Sequence, residues 1–309
     1  MKVLILGSNG LVGSSLARVL SNNNLISNIY AATRDDANLF DLESTKKLIT
    51  KVSPDLLINA AAKVGGIYAN NTKRVEFILE NLKINTNVLE ACIPFNNIKI
   101  INLGSSCIYP LSVQNPIKEE SIMTGKLEPT NSPYAMAKLT AIEIGDALSK
   151  QYGHTVINLM PTNLYGRNDH FSENNSHVIP GLIFRMHNSK IQNEPVFDIW
   201  GSGKPRREFL HVDDFSESVN YIIKNNIETE LLNIGSGEEV TIYELAMKIK
   251  NIVNYEGEIV FNTSMPDGID RKLLSSQKIS DLGWSPKITL EKGLEDTYTW
   301  YKQNQIISK

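Results

Sequence analysis

Cysteine is nearly absent from this chain: of 309 residues only Cys92 and Cys107 carry thiols. Cys92 falls at an expected helix end and Cys107 at an expected strand end, so no structural disulfide is predicted. Reduced thiols point to the cytoplasm. A basic excess is also missing. The formal net charge is −3, which argues against general binding to nucleic acid or to an anionic membrane surface. No apolar run is long enough to span a bilayer. The first run, residues 3–6, stops at Gly7; it is too short for a secretion signal and fits a buried first strand. Internal repeats and low-complexity segments are lacking, and no metal is called for. What remains is ordinary for a globular chain, 41% hydrophobic and 21% charged. The length suits one large α/β domain, alone or with a smaller partner.

The first half alternates short apolar runs with longer amphipathic ones. Residues 3–6, 29–33, 56–61, 98–103 and 156–160 read as buried strands. Between them, 11–20, 42–51, 75–93 and 134–152 read as helices. Such alternation means βαβ units and a doubly wound parallel sheet. After about Tyr165 the texture changes. Residues 166–176 are polar and aperiodic, hence a loop, and a loop of that length beside a catalytic domain is expected to gate substrate. A helix near 215–223 and a strand at 231–234 return to the first domain. The expected division is therefore a Rossmann-type domain of 1–165 with roughly 212–237, and a smaller α/β substrate-binding lobe of 166–211 with 238–309.

Directly after the first strand stands Gly7-Ser8-Asn9-Gly10-Leu11-Val12-Gly13. Gly7 permits the tight turn, Gly10 lets backbone approach a pyrophosphate, and Gly13 allows close helix–strand packing. The following helix offers unpaired N–H groups to the anion. The second strand ends in Ala31-Ala32-Thr33-Arg34 where NAD-preferring folds place a carboxylate. A guanidinium there can clamp a 2′-phosphate, so NADPH is favoured; alternatively Arg34 is a solvated charge beside Asp35. Asp41 either accepts from the adenine amino group or caps the helix that follows it.

Tyr134 and Lys138 are four residues apart, which stacks them on one helical face. A phenol titrates near 10 when unperturbed, and an ammonium alongside is expected to lower it. Ser105, at the C-terminal end of a strand, can hydrogen-bond the same substrate oxygen. A bare helix start, with Pro133 and polar Thr130–Ser132 before it, would explain the tyrosine and lysine separately. Together with the serine and the glycine turn they indicate hydride transfer at a carbon bearing oxygen.

These residues resemble the extended short-chain dehydrogenase/reductase family. Within it, Ala60-Ala61-Ala62-Lys63-Val64-Gly65-Gly66-Ile67, Leu103-Gly104-Ser105-Ser106-Cys107-Ile108-Tyr109-Pro110 and Glu128-Pro129-Thr130-Asn131 are similar to the GDP-L-fucose synthases. So are Pro161-Thr162-Asn163-Leu164-Tyr165-Gly166, Asn175-Ser176-His177-Val178-Ile179-Pro180, Trp200-Gly201-Ser202-Gly203, Arg207-Glu208-Phe209-Leu210-His211 and Pro266-Asp267-Gly268. The resemblance runs nearly end to end. It implies an NADPH-dependent enzyme that epimerises C3 and C5 of GDP-4-keto-6-deoxy-mannose and then reduces C4. A 4-keto group acidifies both neighbouring carbons, so Cys107 as base and His177 as acid would serve opposite faces, with Tyr134 protonating the C4 oxygen. Without the family, Cys107 would be a small buried hydrophobe and His177 a solvated loop residue.

The resemblance further implies Ala60, Ala61, Leu103, Lys138, Pro161, Asn163, Leu164 and His177 on the cofactor side. It implies Ser106, Asn163, Arg207 and Asp267 on the substrate side, and a homodimer. A nucleotide diphosphate wants fixed cations and a flat apolar surface, for which Arg185, Arg207 and Trp200 are candidates. Lys204 and Arg206 take no role. Family members often carry arginine at the place of Asn9, so here Arg34 stands alone for the 2′-phosphate. Three other readings remain: a GDP-4-keto-heptose reductase, a nucleotide-sugar C4-epimerase with tightly held NAD, and a catalytically idle NADP-binding regulator.

Overall fold

Strand β1 (Lys2–Leu6) sends Val3 and Ile5 into one hydrophobic cluster and Leu4 and Leu6 into another. A period of two with both sides apolar is a strand covered on both faces. The structure, a computed structural model, describes residues 1–305 apart from 96, 174, 265 and 266. Pro266, quoted above, and residues 306–309 lie outside the described residues.

After β1 come α1 (Leu11–Leu20), β2 (Asn28–Ala32), α2 (Leu42–Val52), β3 (Leu56–Asn59), α3 (Ile67–Thr72), α4 (Arg74–Cys92) and β4 (Lys99–Leu103). Then follow α5 (Ser132–Tyr152), β5 (Val156–Pro161), β6 (Asn163–Tyr165), α6 (Val178–Ile191), β7 (Val196–Trp200) and β8 (Arg206–His211). The chain continues through α7 (Val212–Lys224), β9 (Leu231–Ile234), β10 (Glu239–Thr241), α8 (Ile242–Val253) and β11 (Glu258–Asn262). It closes with β12 (Arg271–Lys272), α9 (Gln277–Asp281) and α10 (Leu290–Gln305).

The central sheet is parallel throughout, in the order β2-β1-β3-β4-β5-β9. The chain reverses its winding between β1 and β3, and open α/β sheets bind ligands outside the strand C-termini at such a point. Helices α1 and α7 cover one face and α2, α4 and α5 the other. Local chemistry sets their ends. The Asp41 carboxylate caps α2 by accepting from Ser44 N–H at 2.6 Å. Pro133 sits in the first turn of α5, and Gly153 at φ +76 ends that helix.

Past β5 the chain leaves this sheet. β6 pairs with β8, which also pairs with β10 and β12, so residues 163–165 belong to the second sheet. β7 and β11 form a separate parallel pair. Their core gathers Tyr165, Ile183, Met186, Phe197, Leu245, Leu294 and Tyr298 from α6, α8, α10 and the strands. Among the described residues no helix is long and apolar enough to cross a membrane.

Candidate active site

The glycine turn closes at the C-terminal end of β1. Gly7 has φ +78, and a Cβ there would lie 2.8 Å from both N and Cα of Ala61. A Cβ on Gly13 would run into the Gly7 carbonyl, so the helix can seat on the turn only with hydrogen at that place. At Gly10 a Cβ would meet nothing nearer than Gly7 O at 3.5 Å; its outer side is open to a ligand. Gly10 N–H donates to Gly7 O at 3.1 Å, and α1 starts with neither a side-chain cap nor a carboxylate in its first turn. Asn9 is exposed and Leu11 and Val12 are half-buried at this helix start. This arrangement fits a dinucleotide diphosphate. Ser8 is buried, and both its N–H and Oγ donate to Ala32 O, at 3.1 and 2.9 Å. It pins the turn to β2.

Arg34 is exposed and makes no hydrogen bond or ion pair among the described residues. Two residues on, Asp36 accepts from Thr33 N–H at 2.8 Å and from the Tyr30 hydroxyl at 2.9 Å, which holds its carboxyl below the usual range. That turn shapes the segment carrying Arg34. Only the aspartate three residues after a threonine signalled it in the sequence. Of the two roles foreseen for Asp41, the helix cap is the one its Oδ1 performs.

The strand β4 delivers the next group. Ser105 is extended, and its Oγ accepts from Cys107 N–H at 3.2 Å, opening a single 3-10 turn, Ser106–Ile108. Ser106 is buried in that turn, while Ser105 and Cys107 remain half-buried. Tyr134 comes from the first turn of α5, near enough to Ser105 for the serine hydroxyl to favour its phenolate. One turn later Lys138 is 2% exposed; its Nζ donates to Leu103 O at 2.6 Å and lies 5.9 Å from the Tyr134 ring centre. The Phe77 ring meets Tyr134 edge-on at 6.4 Å.

The electrostatics differ from the sequence-based expectation. Burial pushes the Tyr134 phenol up, with a Cys107 thiolate adding to that and Ser105 opposing it. The predicted lowering by Lys138 is not what the fold produces, because the ammonium is directed to the Leu103 carbonyl and desolvation dominates. The same burial lowers Lys138 to about 8. Tyr134 is thus held as a neutral phenol.

A second group faces the strand ends from the other sheet. Asn163 Nδ2 donates to Glu208 O at 2.8 Å, beside half-buried Leu164 and buried Pro161. Glu208 itself is fully buried, accepting from Leu274 N–H at 3.0 Å and Gly237 N–H at 2.8 Å. It holds three segments around Arg207, and nothing beyond its motif marked it out along the chain. Arg206 is engaged with Glu239 at 2.8 Å. Arg207 has no ion pair among the described residues; Nη1 donates to Arg206 O at 2.8 Å. Burial lowers its pKa, opposed by Asp270, Cys107 and Asp267. Cys107 therefore lies within electrostatic reach of both Tyr134 and Arg207. Asp267 accepts from Ser202 N–H at 2.8 Å, beside the Gly201 turn.

Farther along, Arg185 stacks 5.3 Å from the Trp200 ring centre and 4.9 Å from that of Phe197, and its Nη2 donates to Asp198 O. Trp200 keeps 41% of its surface exposed. His177 is the exposed N-cap residue of α6, with its pKa held down by neighbouring protein and by His170. Its loop joins the α3 start through Gly66 N–H, which donates to Asn175 O at 3.2 Å. Ser105, Tyr134, Lys138 and Cys107 come together, with Arg207 opposite. No hydrogen bond joins His177 to that group among the described residues.

A glycine cradle after β1 and a serine–tyrosine–lysine set after β4 define a dinucleotide-dependent short-chain dehydrogenase/reductase site. Residues 3–235 match the NAD dependent epimerase/dehydratase family, and the chain belongs to it, within the group of GDP-L-fucose synthases. A probable GDP-L-fucose synthase 1 of Oryza sativa subsp. japonica is 44% identical, over 100% of this chain and 94% of the relative. A GDP-6-OMe-4-keto-L-xylo-heptose reductase from C. jejuni shares the fold with TM-score 0.90 at 32% identity, over 98% of each chain. A GDP-L-fucose synthetase from Naegleria fowleri bound to NADP gives 0.89 at 28% identity, over 99% of this chain and 95% of the other.

Proposed function

We propose that this chain is an NADPH-dependent 3,5-epimerase/4-reductase that converts GDP-4-keto-6-deoxy-mannose to GDP-L-fucose. The observation that carries the proposal is the Cys107 thiol in the turn that opens at Ser105, its N–H donating to Ser105 Oγ at 3.2 Å, with its charge felt by both Tyr134 and Arg207. A plain reductase needs no thiol there. NADPH, when bound, supplies the hydride for C4. The α1 start and Gly7–Gly13 hold its diphosphate, Arg34 its 2′-phosphate, and Lys138 its nicotinamide ribose. Arg207, Arg185, Trp200 and Asp267 hold the GDP-sugar. Cys107, as thiolate, takes the proton from the carbon next to the ketone, and His177 returns one from the other face. Tyr134 then protonates the C4 oxygen.

Residues 1–165 with 212–237 act as the nucleotide domain and the remainder as the substrate lobe; β9 in the central sheet supports this, and β6 is the exception. The protein acts in the cytoplasm as a homodimer, consistent with free Cys92 and Cys107. Exposed Val75 and Leu79 on α4 and Met136 on α5 suit a helical interface.

The test is turnover of GDP-4-keto-6-deoxy-mannose with NADPH in D2O. Deuterium at C3 and C5 with GDP-L-fucose as product is expected. NADPH consumption without deuterium would favour a GDP-4-keto-heptose reductase, the reading that the heptose-reductase likeness supports. No net NADPH consumption would defeat both.

A further inference from the structure

The loop that delivers His177 has no helix or strand among its described residues between Tyr165 and Val178, yet side chains fasten it at several points. Asn168, at φ +62, donates from Nδ2 to Ser14 Oγ on the cofactor helix α1 at 2.9 Å. Arg167 grips Asp296 of α10 with both arms of its guanidinium, the Nε bond measuring 2.8 Å. Phe171 stacks on Trp300 with ring centres 6.0 Å apart and planes 27° apart, and lies 4.6 Å from Tyr301. Within the loop, Ser176 Oγ donates to His170 O at 2.5 Å and accepts from Ser172 N–H at 2.6 Å. The fastened turn is therefore short, and His177 follows Ser176 directly.

Helix α10 is an unexpected partner for this loop. It belongs to the core of the second lobe through Leu294, Tyr298 and Tyr301, and none of its side chains is a candidate for touching cofactor or substrate. Offset ring stacks and two-armed guanidinium–carboxylate pairs restrict orientation as well as distance. A loop held by only one of them would pivot about it.

We propose that Phe171, Trp300 and Arg167 are positioning residues that moor the His177 loop to α10 and so set where the imidazole is presented. This rests on the function proposed above for its catalytic consequence, though not for the mooring itself. The effect falls on the proton-transfer steps, because the glycine cradle follows β1 and Lys138 stands on α5, and neither makes any of these contacts.

Amide hydrogen exchange on the full chain without ligand decides the mooring. In Phe171→Leu the amides of 168–173 should exchange about tenfold faster than in the wild type, as expected for losing two ring contacts. In Phe171→Tyr they should keep the wild-type rate, and amides of β1 and β4 should be unchanged in both. With GDP-4-keto-6-deoxy-mannose and NADPH in D2O, Phe171→Leu should incorporate deuterium about tenfold more slowly, NADPH affinity should stay within about twofold, and Phe171→Tyr should recover. Unchanged loop exchange in both Phe171→Leu and Trp300→Leu overturns the proposal. Equal losses of NADPH affinity and turnover overturn it too. A wild-type protein that incorporates no deuterium defeats the proposed function instead, and the amide data still decide the mooring.

Discussion

Replacing Lys138 with methionine should abolish reduction and yet make the protein harder to unfold at neutral pH. The ammonium is 2% exposed, and burial lowers it from 10.5 to about 8. Keeping it charged in the folded state at pH 7 therefore costs about 3 kcal/mol. Methionine fills similar volume without that charge, while leaving the Leu103 carbonyl without its donor, a loss of about 1 kcal/mol. The variant should gain about 2 kcal/mol at pH 7. The sign follows from proton counting: between about 8 and 10.5 the unfolded chain binds more protons at Lys138 than the folded one, so wild-type stability rises with pH there. By about pH 9.5 some 2 kcal/mol of the penalty is relieved, and the variant's advantage should nearly vanish. Urea unfolding of the cofactor-free protein at the two pH values measures this. A variant less stable than wild type at pH 7, or a gap indifferent to pH, would refute the account of a destabilising buried charge.

Tyr134→Phe should lower C4 reduction by roughly a hundredfold or more, followed as NADPH absorbance, while deuterium still enters the sugar; complete loss of deuterium exchange would contradict the division of labour. Cys107→Ser should slow that exchange by about a hundredfold with NADPH affinity preserved by titration. Arg34→Ala should weaken NADPH relative to NADH by about tenfold, the loss of a charged hydrogen bond; an unchanged ratio would move the 2′-phosphate elsewhere.

The parallel sheet was legible because its strands are continuous apolar runs and its helices keep one buried stripe. Both patterns are local, and β1 through β5 fall within two residues of where they point, the end of β3 being the farthest off. The short elements were not legible. α3 has only six residues and an unremarkable composition, and β6 is three residues that look like an extension of β5. The glycine turn was readable because its backbone constraint falls on residue type. The pKa of Tyr134 was not: spacing put an ammonium on its helical face, but the direction of that ammonium was invisible.

What the order of residues determined unaided is therefore whatever rests on near neighbours along the chain: strand and helix periods, the cradle, and the placing of Tyr134 and Lys138 on one helical face. Tertiary packing alone decided that Leu103 O claims Lys138, that among the described residues Arg206 forms an ion pair and Arg207 does not, and that α10 reaches the His177 loop. The reason is physical. Burial and electrostatics sum over groups distant in sequence, and residues 171 and 300 meet only once the second lobe has folded.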